Sequence, residues 1–147
     1  MMPDSRTGMD DEGLPVVRPI GVVRSSLHDP SAAPNQAGGA PEALLEIDPA
    51  FVDALHRIEP GDELLLLTWL HLADRDVLQV HPMDDESIPL TGVFKTRSSD
   101  RPNPIGAHRV TVIAFERPTT LRVHALEAID GTPIVDLKVV LDRTRDG

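Results

Sequence analysis

Apolar and polar residues alternate through most of the chain beyond residue 60, the signature of strands with one buried face. In Ile134–Leu141, Val135, Leu137, Val139 and Leu141 fall on one side; in Leu121–Ala125, the apolar positions oppose Arg122 and His124. Short apolar runs bounded by turn formers predict strands over Pro15–Val23, Ala43–Ile47, Glu63–Leu72, Val77–His81, Leu90–Phe94, Ala107–Phe115, Thr120–Ile129 and Ile134–Leu141. One segment has a different period. Asp48-Pro49 is an N-cap acceptor followed by a proline suited to the first helical turn, and Phe51, Val52, Leu55 and Ile58 follow at helical spacing until Pro60-Gly61 ends the run. Asp130-Gly131, between the last two strands, is a hairpin signal. The pattern predicts a mostly β, single-domain antiparallel β-barrel of seven to eight strands with one short helix.

The chain has 147 residues, enough for one domain. Met1–Leu14 sets Asp4, Asp10, Asp11 and Glu12 against Arg6, which predicts a disordered acidic tail at 1–14 and a folded domain over 15–147. The same residues lack the basic-then-apolar order of a signal peptide, and no apolar run approaches the ~18 residues of a membrane span. A cytoplasmic protein with no membrane partner is expected. The absence of cysteine excludes disulfides, thiol nucleophiles and Cys-based metal sites. A net charge of −10 argues against general nucleic-acid binding, although Lys95, Arg97, Arg101 and Arg109 form a basic island broken only by Asp100. His28–Ala43, with three prolines and Gly38-Gly39, reads as a long loop of the kind that carries function.

Most familiar catalytic signatures are missing. No glycine-rich dinucleotide fingerprint, Walker loop, H-E-x-x-H helix or G-x-S-x-G elbow occurs. His71, Asp74, Asp76 and His81 are metal-ligand types, but their spacing fits no compact ligand pattern, and no metal is expected. The densest polar feature is Thr96–Gly106. Its two prolines and a glycine set an irregular backbone from which Arg97, Arg101 and Asn103 present donors, an arrangement suited to an anionic or polar ligand or to a plain surface crossover.

Gly92–Gly106, reading GVFKTRSSDRPNPIG, resembles the signature of the TrmO-like (TsaA-like) methyltransferase family. Further similarities follow in order: Pro19–Ser25, Pro34-Asn35-Gln36, Trp69-Leu70-His71 with Ala73–Asp76, Val80-His81-Pro82, and Asp130–Pro133 with Asp136-Leu137-Lys138. They span Pro19 to Lys138. The resemblance implies a β-barrel that binds S-adenosyl-L-methionine and works as a homodimer. It implies cofactor contacts at Pro34, Asn35, Gln36, His71, Leu72, Arg97, Ala107, His124, Ala125, Leu126 and Glu127. Arg97 suits the cofactor's carboxylate, Glu127 and Gln36 its ribose and amino group, and Leu72, Ala107 and Leu126 its adenine. Arg101, Asn103 and Arg109 are then candidates for binding the substrate. His71, Asp130 and Asp136 are candidates for the proton acceptor. The family's acceptor is threonylcarbamoyladenosine in tRNA; a small-molecule acceptor, or a sensor that binds without turnover, are the alternatives. Two departures are Asn35, where the family loop has arginine, and Ser99, where the signature has proline.

Overall fold

A computed structural model describes residues 8–27, 42–124 and 126–141. Among these, eight strands form: β1 (Gly21–Arg24), β2 (Ala43–Ile47), β3 (Glu63–Trp69), β4 (Gln79–Val80), β5 (Thr91–Gly92), β6 (Ile105–Arg117), β7 (Thr120–His124) and β8 (Pro133–Val139). Six of them, in the order β1-β2-β7-β6-β3-β8, close into a barrel, while β4 and β5 make a separate ribbon. All pairings are antiparallel, and closure comes from β1 against β8, with Gly21 opposite Ile134.

Alternation sets the inward face. Ala43, Leu45 and Ile47 of β2 are buried, as are Leu64, Leu66 and Thr68 of β3, and between them the neighbouring side chains are only partly covered. Val23, Val110, Val112, Leu121, Val123, Leu126 and Ile134 complete a single core. The long strand β6 serves two partners because register shifts near Val112–Ala114 and Phe115–Arg117 bend it, so its first half pairs with β3 and its second with β7.

Several expectations change in detail. The first strand begins at Gly21 and not at Pro15, since Pro15 and Pro19 have no N–H to give a ladder. Only Thr91–Gly92 of the expected Leu90–Phe94 strand pairs, and Val93–Lys95 is a 3-10 turn. The helix at Pro49–Leu55 is capped as expected, with the Asp48 carboxylate accepting from Ala50 N–H at 2.9 Å, but it is a 3-10 helix interrupted at Phe51 (φ −107°, ψ 17°). Asp130-Gly131 does not make a hairpin, because β7 and β8 are not neighbours. Gly131 (φ +84°) instead turns the chain onto β1, donating to the Val23 carbonyl at 2.8 Å. In β8, a shift in register against β3 brings Ile134 and then Leu137 to the core, so the even alternation that groups Val135 with Leu137 fails at that step. Within the segment read as an acidic tail, residues 8–14 make a local, exposed turn. Asp10 accepts N–H bonds from Glu12 and Leu14, both at 2.9 Å, and Met9 bridges to Pro15.

Candidate functional site

The end of β3, the start of β6 and the start of β8 lie at one end of the barrel, and the connections attached to them form a cleft there. Its volume is about 650 Å³, within the range of small-molecule sites. Three segments line it, with His108 of β6: Leu70–Ala73 after β3, Arg97, Ser99 and Asp100 before β6, and Glu127–Ile129 with Thr132 before β8.

The 96–104 turn is rigid because its polar groups are used on itself and on the neighbouring turn. Thr96 donates its hydroxyl to the Val93 carbonyl (2.8 Å) and accepts from Ser98 N–H. Arg101 donates to the carbonyls of Val93 (2.6 Å), Thr96 (2.7 Å) and Ser98 (2.8 Å). Asp100 accepts from Asp74 N–H, and Arg75 donates to the Pro102 carbonyl and to Asn103 Oδ1 while lying over Trp69 at 5.3 Å. Arg101, Asn103 and Arg75 thus act as internal struts.

Arg97 is different. One guanidinium nitrogen donates to the Ala107 carbonyl at 2.8 Å, and the side chain lines both the cleft and a smaller cavity of about 250 Å³ beside it. Beneath it, His108 Nε2 lies 2.9 Å from the hydroxyl of fully buried Thr68. Burial, and secondly the charge of Arg97, hold the His108 imidazole below the usual histidine range, so the ring is neutral near pH 7.

A chain with these features matches the profile of the tRNA-methyltransferase O N-terminal domain family over residues 22–144. It belongs to the TrmO family. Among its relatives, a probable S-adenosyl-L-methionine-binding protein of Methanothermobacter thermautotrophicus is 41% identical over 123 residues, covering 83% of this chain and 87% of that one. An S-adenosyl-L-methionine-binding protein of Archaeoglobus fulgidus is 40% identical, with 84% and 87% covered. A crystal structure of TrmO superposes with a TM-score of 0.71 at 33% identity, covering 91% of this chain and 62% of the other. TrmO from Pseudomonas aeruginosa gives 0.70 at 30% identity, with 91% and 60% covered. This TrmO-family chain therefore spans about three fifths of those TrmO chains.

His71, Leu72, Arg97 and Glu127 come together on the cleft, and Ala107 lines the smaller cavity. His71 sits in the exposed turn after β3, not on a buried strand, because β3 ends at Trp69. Leu126 points into the core, fully buried, and His124 is exposed at the end of β7. Pro34, Asn35, Gln36 and Ala125 lie outside the described residues. Two proton-acceptor candidates lie elsewhere. Asp130 accepts from Ser25 N–H at 3.0 Å, and Asp136 pairs with Lys138 at 3.0 Å beside a different cavity near the start of β3. Arg109 is on the outer face, ion-paired to Glu63 at 2.6 Å, and Arg101 has three carbonyls to satisfy. Among the described residues no group of three metal-ligating side chains assembles. His108 and Thr68 were not expected from sequence. The signal was present, since the inward stripe of β6 (106, 108, 110, 112) carries one ionisable residue.

Proposed function

We propose that this chain is an S-adenosyl-L-methionine-dependent methyltransferase whose cofactor lies in the cleft at the barrel end and whose acceptor is threonylcarbamoyladenosine in tRNA, next to the anticodon. The observation that carries this reading is the pairing on one cleft of Arg97, a cation with donors to spare, and Glu127, an acceptor, beside the apolar side chains of Leu70 and Leu72. That donor set fits the cofactor's parts: a guanidinium for the carboxylate, a carboxylate for ribose hydroxyls or the ammonium, and aliphatic walls for the base. When bound, the cofactor supplies a methyl group already activated on a sulfonium. The chain then has to hold, align and shield. The struts at Arg75 and Arg101 keep Arg97 in place without the ligand, and the Leu70–Ala73 turn covers one side of the cleft. Of the three proton-acceptor candidates, His71 is the one on the cleft, and we assign it that role.

The family resemblance also supports a homodimer. Leu72, Leu78, Met83, Leu90 and Phe94, between β3 and the 96–104 turn, are exposed, Met83 and Phe94 to 88% and 85%. We place the subunit contact there. A cytoplasmic site of action goes with the tRNA acceptor.

A metabolite acceptor is the second reading, favoured by one feature. Arg101 and Arg109, which would extend a positive track for RNA, are committed to internal partners in a chain of net charge −10.

Calorimetric titration with S-adenosylhomocysteine, then transfer of labelled methyl to total tRNA, tests the proposal. Arg97→Ala should weaken binding of S-adenosylhomocysteine by about 1.5–3 kcal/mol, the range for a charge-assisted bond. Binding by wild type without transfer to any tRNA removes the RNA acceptor. An unchanged Arg97→Ala affinity removes Arg97 from the site.

A further inference from the structure

The cleft and the smaller cavity are divided by Leu70, Arg97 and His108, each of which lines both. The dividing histidine is not free to choose its tautomer. Thr68 is fully buried, and among the described residues its hydroxyl has one partner, His108 Nε2 at 2.9 Å. A buried hydroxyl whose proton finds no acceptor costs about 1–3 kcal/mol, so Thr68 donates to Nε2 and the proton of the neutral ring sits on Nδ1. Among the described residues Nδ1 has no partner, and no buried side-chain nitrogen or oxygen of theirs is left unpaired. Nδ1–H therefore opens toward the cavities. Gly106 lets this happen, because a Cβ there would stand 2.6 Å from Thr68 Oγ1 and 2.8 Å from His108 Nε2.

We infer that His108, set by Thr68, is a specificity-determining neutral donor that takes an acyl oxygen, carbonyl or carboxylate, of the methyl acceptor in the smaller cavity. The inference rests on the methyl-transfer reading above. At about 250 Å³ this cavity is below the size of most small-molecule sites, so it suits one group of a larger molecule, while the cofactor takes the cleft. Its lining offers donors and few acceptors. The Ala107 carbonyl is taken by Arg97, those of Val93, Thr96 and Ser98 by Arg101, and Ser98 Oγ accepts from Asp100 N–H, which leaves Arg97, the Ser98 hydroxyl proton and His108 as donors on the space. A proton-accepting role for His108 is excluded by the same geometry, since its lone pair is engaged by Thr68.

The test uses the full chain, S-adenosylhomocysteine as cofactor probe and total tRNA as acceptor. His108→Leu removes the donor, whereas His108→Asn places an amide N–H near the position of Nδ1. His108→Leu should raise KM for tRNA about tenfold and leave S-adenosylhomocysteine affinity within about twofold, and His108→Asn should restore most of the loss. Nitrogen-15 NMR of the wild type should show the proton on Nδ1. The inference is overturned if the proton is on Nε2. It also fails if His108→Leu loses cofactor affinity with KM unchanged, if both variants lose kcat alone, or if neither changes. Should the wild type bind no S-adenosylhomocysteine, or bind it and methylate no tRNA, the parent reading fails first and takes this inference with it. Wild-type turnover matched by His108→Leu sinks the inference alone.

Discussion

Gly106→Ala puts one methyl group against the two ends of a single buried hydrogen bond. Its Cβ would lie 2.6 Å from Thr68 Oγ1, 2.8 Å from His108 Nε2 and 3.1 Å from Leu70 Cδ2. Thr68 and Gly106 are directly opposed across β3 and β6, so the clash cannot be relieved by rotating a surface side chain. Threonine is stiff at χ1, and this one is fully buried. Relief means parting Thr68 from His108, at about 1–3 kcal/mol for the stranded hydroxyl, plus about 1–3 kcal/mol for overpacking. Restricting the unfolded chain returns about 0.4–1 kcal/mol. The net loss is about 1–5.5 kcal/mol, or roughly 2–22 °C in Tm for a domain of this size. Gly92→Ala is the control, with φ −58°, ψ 138° and nothing near its Cβ, and it should shift Tm slightly upward. Thermal unfolding followed by circular dichroism measures both. In a double-mutant cycle, Thr68→Ala should absorb much of the Gly106→Ala cost, because one oxygen is responsible for the closest contact. A Gly106→Ala Tm within about 2 °C of wild type, or strictly additive losses, would refute the close approach.

Three further outcomes follow from the same contacts. Because the folded His108 titrates below its ordinary 6.5, the unfolded chain binds the proton first as pH falls, so its contribution to stability is complete above 6.5 and is lost toward lower pH. The Tm of wild type relative to His108→Asn should therefore decline between pH 7.5 and 5, and a flat difference contradicts the buried ring. Arg101→Lys cannot span three carbonyls from one ammonium; a loss of about 1–3 kcal/mol in urea unfolding is expected, with faster hydrogen exchange across 96–101. Asp136→Asn keeps the bond from Leu137 N–H and faces the other cavity, so kcat should stay within about twofold; a larger fall would return Asp136 to the list of proton acceptors.

Strand positions were legible wherever one face is buried and the ladder is regular, as in Ala43–Ile47, where the expected and observed limits coincide. They were less so where the barrel demands a bend. The bulges of β6 and the shift in β8 are dictated by closing a six-stranded sheet, and no local residue pattern announces them. The same cause hid the role of Asp130-Gly131. A glycine at φ +84° is legible as a turn, but which strand it delivers the chain to is decided by the order of strands around the barrel. The helix differed in type and in length: its backbone is non-helical at Phe51, and it ends at Leu55, short of Pro60-Gly61, where the chain turns through Arg57 at φ +75°.

The site shows where motif reading and physical reading part. Lys95–Arg109 was recognised as a basic island, yet structure divides its arginines by function: Arg101 is spent on carbonyls, Arg109 on Glu63, and Arg97 alone of the three faces the cleft. Counting positive charges in sequence overstates what a ligand can meet, because a guanidinium in an irregular loop first satisfies the carbonyls that irregularity leaves unpaired. His108 illustrates the converse. An imidazole on an inward stripe otherwise made of glycine and valine has to be held neutral and hydrogen-bonded, and among the described residues the partner is a buried threonine. At the closed middle of the barrel such a pair would be a packing cost without return. At its end, where three connections already shape a cleft, the same ring lines both cavities, and it is there that we place the selectivity of the wall.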